Sequence, residues 1–276
     1  GLPARPSPDQ VLGRVVHTRV EEVSSFACSE PFYEWLDGAM RRTVLNNLHG
    51  IPTDTPMYEK NGWTGDAQLG APVMTYAFGV HRFLSKWLGD LADSQTAAGQ
   101  LPVIVPSGGW GSGDLGPSPE WTTVYPFVAR EMYRAYGDER AAREHWAPLV
   151  RYLDWELSRL EDGLAITALG DYLPPGYGGN PPEDTRLTAT AYLQRALLHT
   201  AELGDLLGEK TTADRYRQAA DALRTAFNAA FLAPEGHYRT SKDPDYRQTS
   251  NAIPLAFGLV PAGARASVLD SLVKDI

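Results

Sequence analysis

The sequence has little that would support metal, redox or membrane chemistry. Its 276 residues include a single cysteine, Cys28, which excludes an internal disulfide and argues against a cysteine-based metal site. The six histidines are scattered, and neither the His-x-x-x-His nor the His-Glu-x-x-His spacing of zinc sites occurs. No stretch approaches the ~18 uncharged apolar residues that a transmembrane helix requires. We therefore expect no metal ion, no cofactor and no membrane span.

Positive charge is scarce as well. There are 25 Lys and Arg residues against 34 Asp and Glu residues, a formal net charge of −9. Because nucleic-acid binding needs a face rich in lysine and arginine, this balance argues against a nucleic-acid partner. Apolar residues make up 43% of the chain and charged residues 21%, which is typical of a folded globular protein. The chain begins at Gly1 rather than Met and no apolar signal sequence follows, so the sequence leaves the cellular compartment open.

Strand-like sequence is confined to the N-terminal part of the chain. Residues 11–23 are rich in β-branched side chains and lack a helical stripe, so they predict one or two extended strands. We assign residues 1–28 to a short N-terminal β segment, interpreted as the edge of a preceding β domain, and residues 29–276 to a helical domain. About eight helices are predicted there, because apolar residues recur every three or four positions. Their first predicted residues are Ser29, Asp66, Pro119, Trp146, Thr185, Ala213, Ser250 and Gly263.

The connections between the predicted helices alternate in length. Short ones, such as residues 137–138, are typical of antiparallel helix hairpins. The long ones are rich in Gly, Pro, Trp, Tyr and Asp and occupy residues 51–65, 101–117 and 170–184. Long loops in a compact domain are uncommon and are often functional. If successive helices run up and down, these loops emerge at one end. The sequence therefore predicts an all-α toroid with one plain face and one elaborated face.

The densest group of chemically active residues lies in the first long loop. Asp54, Glu59 and Asp66 bring three carboxylates close to Trp63, between prolines and glycines. Carboxylates without matching cations repel one another, so the pKa of at least one is expected to rise, and such an acid can protonate a glycosidic oxygen near neutral pH. The indole of Trp63 offers an apolar platform for the C–H face of a sugar. Structural roles remain open: Asp66 as a helix N-cap, Asp54 in an Asx-turn and Trp63 in packing.

The other two long loops add aromatic residues. Trp121, at a predicted helix start, either faces the mouth of the toroid or packs in the core. Trp110 lies in a stretch too rich in glycine to build a core, which favours exposure to a ligand or another domain. Asp171 beside Tyr172 resembles an acceptor for a sugar hydroxyl next to a stacking ring.

A longer pattern in the first loop resembles a known family signature. The pattern is Asp54-x-Pro-x-x-Glu59-Lys60-x-Gly62-Trp63-x-Gly65-Asp66-Ala67-Gln68. It is similar to the signature of the bacterial α-L-rhamnosidases of glycoside hydrolase family 78. Further similar segments are Phe26-x-Cys28-Ser29, the pair Arg41-Arg42 with Asn46, and the run from Leu255 to Pro261. The resemblance covers nearly the whole chain. It implies an (α/α)6 barrel that removes terminal α-L-rhamnose with inversion of configuration.

The resemblance also implies a role for each candidate site residue in the three long loops and at the helix starts that follow them. Glu59 matches the general acid, Asp54 and Asp66 match acidic residues that hold rhamnose hydroxyls, and Trp63 and Trp121 match aromatic walls of the sugar pocket. Asp171-Tyr172 stands where the family usually has Asp-Trp, so the aromatic wall is altered there.

An inverting glycosidase also needs a base. This second carboxylate lies ~6.5–9.5 Å from the acid and activates water. In the family it lies near the end of the barrel, so we expect it beyond Ile276, in a longer chain with other domains that acts on a rhamnose-containing glycoside or oligosaccharide. The chain would then supply about eight helices of an incomplete barrel. The alternative is a non-catalytic rhamnose-binding fragment, or an inactive remnant of the same fold. A helical cyclase would need an Asp-Asp-x-x-Asp cluster, which the sequence lacks.

Overall fold

A computed structural model describes residues 5–109, 115–174, 182–243 and 245–275 of the chain. Within these ranges it contains ten α-helices. They are α1 (Pro31–Asn46), α2 (Thr64–Ala77), α3 (His81–Ser94), α4 (Pro119–Thr122), α5 (Val124–Tyr136), α6 (Glu139–Leu157), α7 (Arg186–Leu207), α8 (Lys210–Phe231), α9 (Gln248–Phe257) and α10 (Arg265–Asp275). Trp110, for which exposure was expected, lies outside the described residues.

The helices form two layers. Helices α2, α5, α7 and α9 lie side by side, each packed against the next, and α3, α6, α8 and α10 pack against the outside of this row. The long loops that follow α1, α3 and α6, together with the first turns of α2 and α4, carry the candidate site residues. Among the described residues, no helix has the length and apolar character that spanning a bilayer would require.

Two predicted helices are each divided in the structure. The stripe that begins at Asp66 breaks between α2 and α3, where Phe78 is extended (φ −137°, ψ 151°) and the Gly79 amide donates to the Glu21 carbonyl at 2.8 Å. Val80, a residue of the predicted stripe, is fully buried, so the apolar pattern continues past the break. The helix predicted from Pro119 is divided into α4 and α5, and Pro126 lies in the first turn of α5. Proline there cannot donate to the carbonyl of the preceding turn.

The N-terminal segment differs from the prediction. Residues 11–23 do not form strands, and the described part of the segment makes only an isolated bridge between Glu22 and Phe78. Its backbone is instead tied to helix ends, with the Val23 amide donating to the Ala77 carbonyl at 3.0 Å. Val15 is 82% exposed and Val16 73%. The β-branched residues favour an extended backbone, but a sheet needs a neighbouring strand for these side chains to pack against.

Two acidic side chains, one on α4 and one on α6, are buried. Glu156 of α6 is 3% exposed and Glu120 of α4 is 8% exposed. Burial raises the pKa of Glu156 to about 8, although the nearby Arg159 charge lowers it. Burial also raises the pKa of Glu120 to about 7. Both carboxyl groups therefore carry protons in the folded protein at pH values where an unfolded chain has released them.

The Glu156→Gln variant is expected to become more stable than the wild type, by a margin in the free energy of unfolding that grows as pH rises. The folded carboxyl keeps its proton to about pH 8 while an ordinary Glu loses it near 4.5, so wild-type stability falls through this interval by at most ~1.4 kcal/mol per pH unit. Gln does not titrate. Calorimetric unfolding at about pH 6.5 and about pH 8 should show an advantage for Glu156→Gln that grows by about 2 kcal/mol.

His199 gives both proteins a further pH dependence of stability, which cancels when the two are compared at the same pH. Burial lowers the pKa of His199 to about 3 from its ordinary 6.5, which gives stability the opposite slope below 6.5. An advantage of Glu156→Gln that is equal at both pH values would show that Glu156 is already ionised in the folded state.

Candidate active site

The signature loop is closed by Asp54 and Asn61. The Asp54 amide donates to the Asn61 carbonyl at 3.0 Å, and Asp54 Oδ1 accepts from the Asn61 amide at 2.8 Å. The Asp54 carboxyl thus has a structural role, but not the expected Asx-turn, because it accepts from an amide seven residues along the chain. One oxygen of this carboxyl fixes the loop that carries Glu59.

Glu59 lies on this loop with an exposed side chain. Its Oε2 accepts a hydrogen bond from Trp63 Nε1 at 2.6 Å, and its amide donates to Thr55 Oγ1 at 3.2 Å. The carboxyl is thus held against the indole edge of Trp63. This arrangement keeps an acid at the solvent boundary, where a large leaving group has room.

Asp66 lies in the first turn of α2 instead of capping it, because the helix begins at Thr64. Asp66 is solvent-exposed, but the protein around its carboxyl removes part of the surrounding water and so raises its pKa, with further increases from the charges of Asp54 and Glu59. A bond to its own backbone amide acts in the opposite direction. The three carboxylates therefore lie within electrostatic reach of one another, and their repulsion adds to a rise in the pKa of Asp66 whose largest cause is desolvation.

Trp121 packs directly on the start of α2. A Cβ atom at Gly65 would lie 2.7 Å from Cδ1 and Nε1 of the indole ring, so only glycine permits this close approach. Trp63 and Trp121 also pack against a small apolar cluster formed by Val103, Ile104 and Leu169. Packing and ligand contact are thus compatible for Trp121, since Trp121 also lines a cleft.

The cleft has a volume of about 310 Å³. Its lining residues are Gly65, Asp66, Leu69, Glu120, Trp121, Gly170, Asp171, Tyr172, Thr188, Tyr192, Thr249 and Ile253. Carboxyl groups and aromatic rings dominate this set, and it includes no lysine or arginine from the described parts of the chain. The structure thus brings Asp66, Trp121, Asp171 and Tyr172 together in the cleft, while Asp54, Glu59 and Trp63 form the adjoining loop.

The third long loop supplies one side of the cleft. Asp171 is half-buried, and burial raises its pKa while a hydrogen bond with Thr249 of α9 and the charge of Arg247 lower it. Tyr172 is 48% exposed and so presents part of its ring to solvent. This pair therefore has the placement expected for a polar acceptor beside a stacking surface.

Sequence reasoning missed several residues of the cleft, among them Glu120, Thr188, Tyr192 and Thr249. Glu120 immediately precedes Trp121 at the start of α4, and this adjacency was the available signal. Tyr192 lies one helical turn after Thr188 on α7, and Thr249 lies in α9. Nothing in the local pattern of α7 or α9 indicated that these positions face a ligand. Among the described residues, no group of three or more His, Cys, Asp or Glu side chains is arranged to hold a metal ion.

Comparison with known proteins identifies the family. Residues 21–276 match the bacterial alpha-L-rhamnosidase six-hairpin glycosidase domain. The chain belongs to this family. A Streptomyces avermitilis protein named alpha-L-rhamnosidase is 31% identical over 280 residues, covering 100% of the chain and 26% of that protein.

Solved rhamnosidase structures share the fold. The Dictyoglumus thermophilum alpha-L-rhamnosidase is 32% identical with a TM-score of 0.92, covering 100% of the chain and 31% of that protein. The Streptomyces avermitilis alpha-L-rhamnosidase complexed with L-rhamnose is 29% identical with a TM-score of 0.85, covering 99% of the chain and 25% of that protein. These similarities confirm the α/α toroid and the family predicted from sequence. The chain thus spans between a quarter and a third of the length of these relatives.

Proposed function

We propose that the chain forms the sugar-binding and acid-bearing part of a glycoside hydrolase that removes terminal α-L-rhamnose. The observation that carries this proposal is the placement of Asp66 between two other carboxylates and a cleft walled by aromatic rings. The family membership of residues 21–276 supports it.

The chemistry of the cleft suits a neutral deoxy sugar. Carboxylate oxygens accept hydrogen bonds from hydroxyl groups, and the ring of Trp121 offers a face for the C–H groups of a pyranose. Leu69 and Ile253 also line the cleft, and they match the methyl group of a 6-deoxy sugar such as rhamnose. A phosphorylated or carboxylated ligand would be repelled by the surrounding acids.

In this proposal Glu59 is the general acid. Its proton passes to the glycosidic oxygen as the bond to the anomeric carbon breaks, so the aglycone leaves as a neutral alcohol. Water then adds to the opposite face of the sugar, which inverts the anomeric configuration. The base that activates this water is not assigned to any described residue. The Trp63 indole, which donates to Glu59 Oε2, fixes the position of the acid.

The remaining predicted residues bind the sugar. Asp54 and Asp66 accept hydrogen bonds from rhamnose hydroxyls, while Trp63 and Trp121 form walls of the pocket. Asp171 and Tyr172 close the side nearest the third loop, and the tyrosine at this position gives a narrower stacking surface than a tryptophan would.

The test compares two substrates that differ by one hydroxyl. The full-length protein is assayed with 4-nitrophenyl α-L-rhamnoside and with the matching α-L-mannoside, which carries an extra hydroxyl at C6. An apolar pocket for the C6 methyl predicts a kcat/KM about 100-fold higher for the rhamnoside. Proton NMR during the first minutes should show the β anomer of released rhamnose.

Two results would contradict the proposal. Equal rates on both glycosides would remove the deoxy-sugar assignment, and early release of the α anomer would remove inversion. Tight binding of L-rhamnose without any turnover would instead support the alternative of a non-catalytic binding protein.

A further inference from the structure

Glu120 is a buried carboxyl in the cleft that the family signature does not include. It lies on α4, next to Trp121, and is 8% exposed. No basic side chain in the described parts of the chain forms an ion pair with it. Burying an acid without a cation costs free energy, and a position that served packing alone would be better filled by an apolar residue. This cost indicates that the carboxyl has a use in the cleft.

The Glu120 carboxyl is held in one orientation by two threonines. Thr188 Oγ1 donates to Oε1 at 2.6 Å, and Thr167 Oγ1 donates to Oε2 at 2.9 Å. A carboxylate has about four acceptor positions, so both oxygens keep acceptor capacity beyond these bonds. Because Glu120 lines the cleft together with Thr188, a ligand hydroxyl in the cleft can use that capacity.

The backbone beneath Glu120 is fixed as well. Gln68, the last residue of the signature, donates from Nε2 to the Glu120 carbonyl at 2.7 Å. Gln68 Oε1 in turn accepts from Thr123 Oγ1 at 3.1 Å and from Arg195 Nη2 at 3.0 Å. The position of Glu120 relative to Asp66 is therefore set by bonds that connect α2, α4 and α7, and it does not depend on a flexible loop.

We propose that Glu120 contacts the sugar directly, accepting a hydrogen bond from a ring hydroxyl at the floor of the cleft, with Thr167 and Thr188 as its positioning residues. This inference rests on the proposed function, because it takes the ligand of the cleft to be a neutral sugar.

The protonation state of Glu120 should make the affinity for the sugar depend on pH. Burial raises its pKa to about 7, the charge of Asp171 adds to the rise, and the two threonine bonds oppose it. The other titratable groups that act on the same site are Tyr152 and Glu156 of α6 and Tyr192 of α7. An ionised carboxylate accepts a stronger hydrogen bond than a protonated one. Affinity for the sugar should therefore rise as pH increases through about 7.

The test uses Glu120→Gln and Thr188→Val in the full-length protein, with L-rhamnose as the ligand in calorimetric titrations. Glu120→Gln is expected to raise the Kd about tenfold at alkaline pH and to remove the pH dependence near neutrality. Thr188→Val should raise the Kd by a smaller factor and move the pH dependence upward, because a bond that stabilises the ionised carboxyl is lost. Kinetics on the aryl rhamnoside should show a raised KM with kcat changed much less.

Thr200→Val is the matched control. Thr200 lies on the same helix, is fully buried, and donates its hydroxyl to the Ala196 carbonyl within α7. This variant should keep the wild-type Kd and its pH dependence. If Glu120→Gln fails to fold, Thr188→Val, which keeps the carboxyl, carries the test by its pH shift.

The outcomes separate the two proposals. Wild-type Kd and pH dependence in Glu120→Gln, in a protein that still hydrolyses the rhamnoside, would overturn the role of Glu120 and leave the proposed function standing. A wild type that neither binds L-rhamnose nor hydrolyses the rhamnoside would overturn both.

Discussion

Replacing Glu59 with Gln is expected to lower kcat on methyl α-L-rhamnoside by about 10³-fold, with little change in KM. Gln keeps the size of the side chain and an oxygen that can accept from Trp63 Nε1, but it has no acidic proton to give to the glycosidic oxygen. On 4-nitrophenyl α-L-rhamnoside the loss should be far smaller, about tenfold, because nitrophenolate leaves readily without protonation. The ratio of the two losses is the signature of a missing acid.

The control for this variant is Glu235→Gln. Glu235 is also an exposed glutamate with one side-chain partner, Arg239, and it lies outside the cleft. It should retain wild-type kcat on both substrates. If Glu59→Gln hydrolyses methyl rhamnoside at a rate near that of Glu235→Gln, the proton comes from another group.

The second large effect is expected from Gly62→Ala, which adds one methyl group to the signature loop. A Cβ atom at position 62 would overlap the Val105 carbonyl oxygen and lie 2.8 Å from its carbon. That carbonyl also accepts from the buried Trp87 indole at 3.0 Å, and the Val105 amide donates to the Gly62 carbonyl at 2.8 Å. The backbone cannot yield without breaking these bonds. We expect a loss of about 3 kcal/mol in the free energy of unfolding.

The same substitution should impair catalysis, because Gly62 lies between Glu59 and Trp63. A displacement of about 1 Å at the acid can cost a factor of about 100 in kcat/KM. The measurements are thermal unfolding and kinetics on the aryl rhamnoside.

The matched control is Gly38→Ala. Gly38 lies within α1, and a Cβ there would meet nothing within 4 Å. It should increase stability by about 0.5–1 kcal/mol, as alanine does in an exposed helix, and leave kinetics unchanged. Equal stability and activity for the two variants would mean that the Gly62–Val105 approach is not required.

The helices were predictable where a local signal ends them. Gly137 follows α5 with a left-handed backbone (φ 64°), and its position after an apolar stripe was sufficient to predict the end of that helix. The break between α2 and α3 was not predictable in this way, because Val80 continues the apolar stripe while the backbone turns at Phe78 and Gly79 to meet Glu21. That turn depends on a contact with a distant segment, which local periodicity does not report.

The residues of the candidate site differ in the same way: some were predictable from the local sequence, and others depend on contacts between distant segments. Asp54, Glu59 and Trp63 belong to one loop and Asp66 to the helical turn that follows it, so their spacing in sequence predicted that they would lie close together. Glu120 meets Thr188 across 68 positions of sequence, through the packing of α4 on α7. Their contact follows from tertiary structure; the adjacency of Glu120 to Trp121 was the one local signal, and the segment around Thr188 carries none.

The central claim is that Glu59 stands beside a cleft in which Asp66 and Trp121 hold rhamnose. Its most direct test is a crystal structure of full-length Glu59→Gln with bound 4-nitrophenyl α-L-rhamnoside. We predict that the sugar ring lies against Trp121, that its hydroxyls bond to Asp54 and Asp66, and that the glycosidic oxygen lies about 3 Å from the side chain at position 59. A rhamnoside bound away from this cleft, or with its glycosidic oxygen turned away from position 59, would contradict the account.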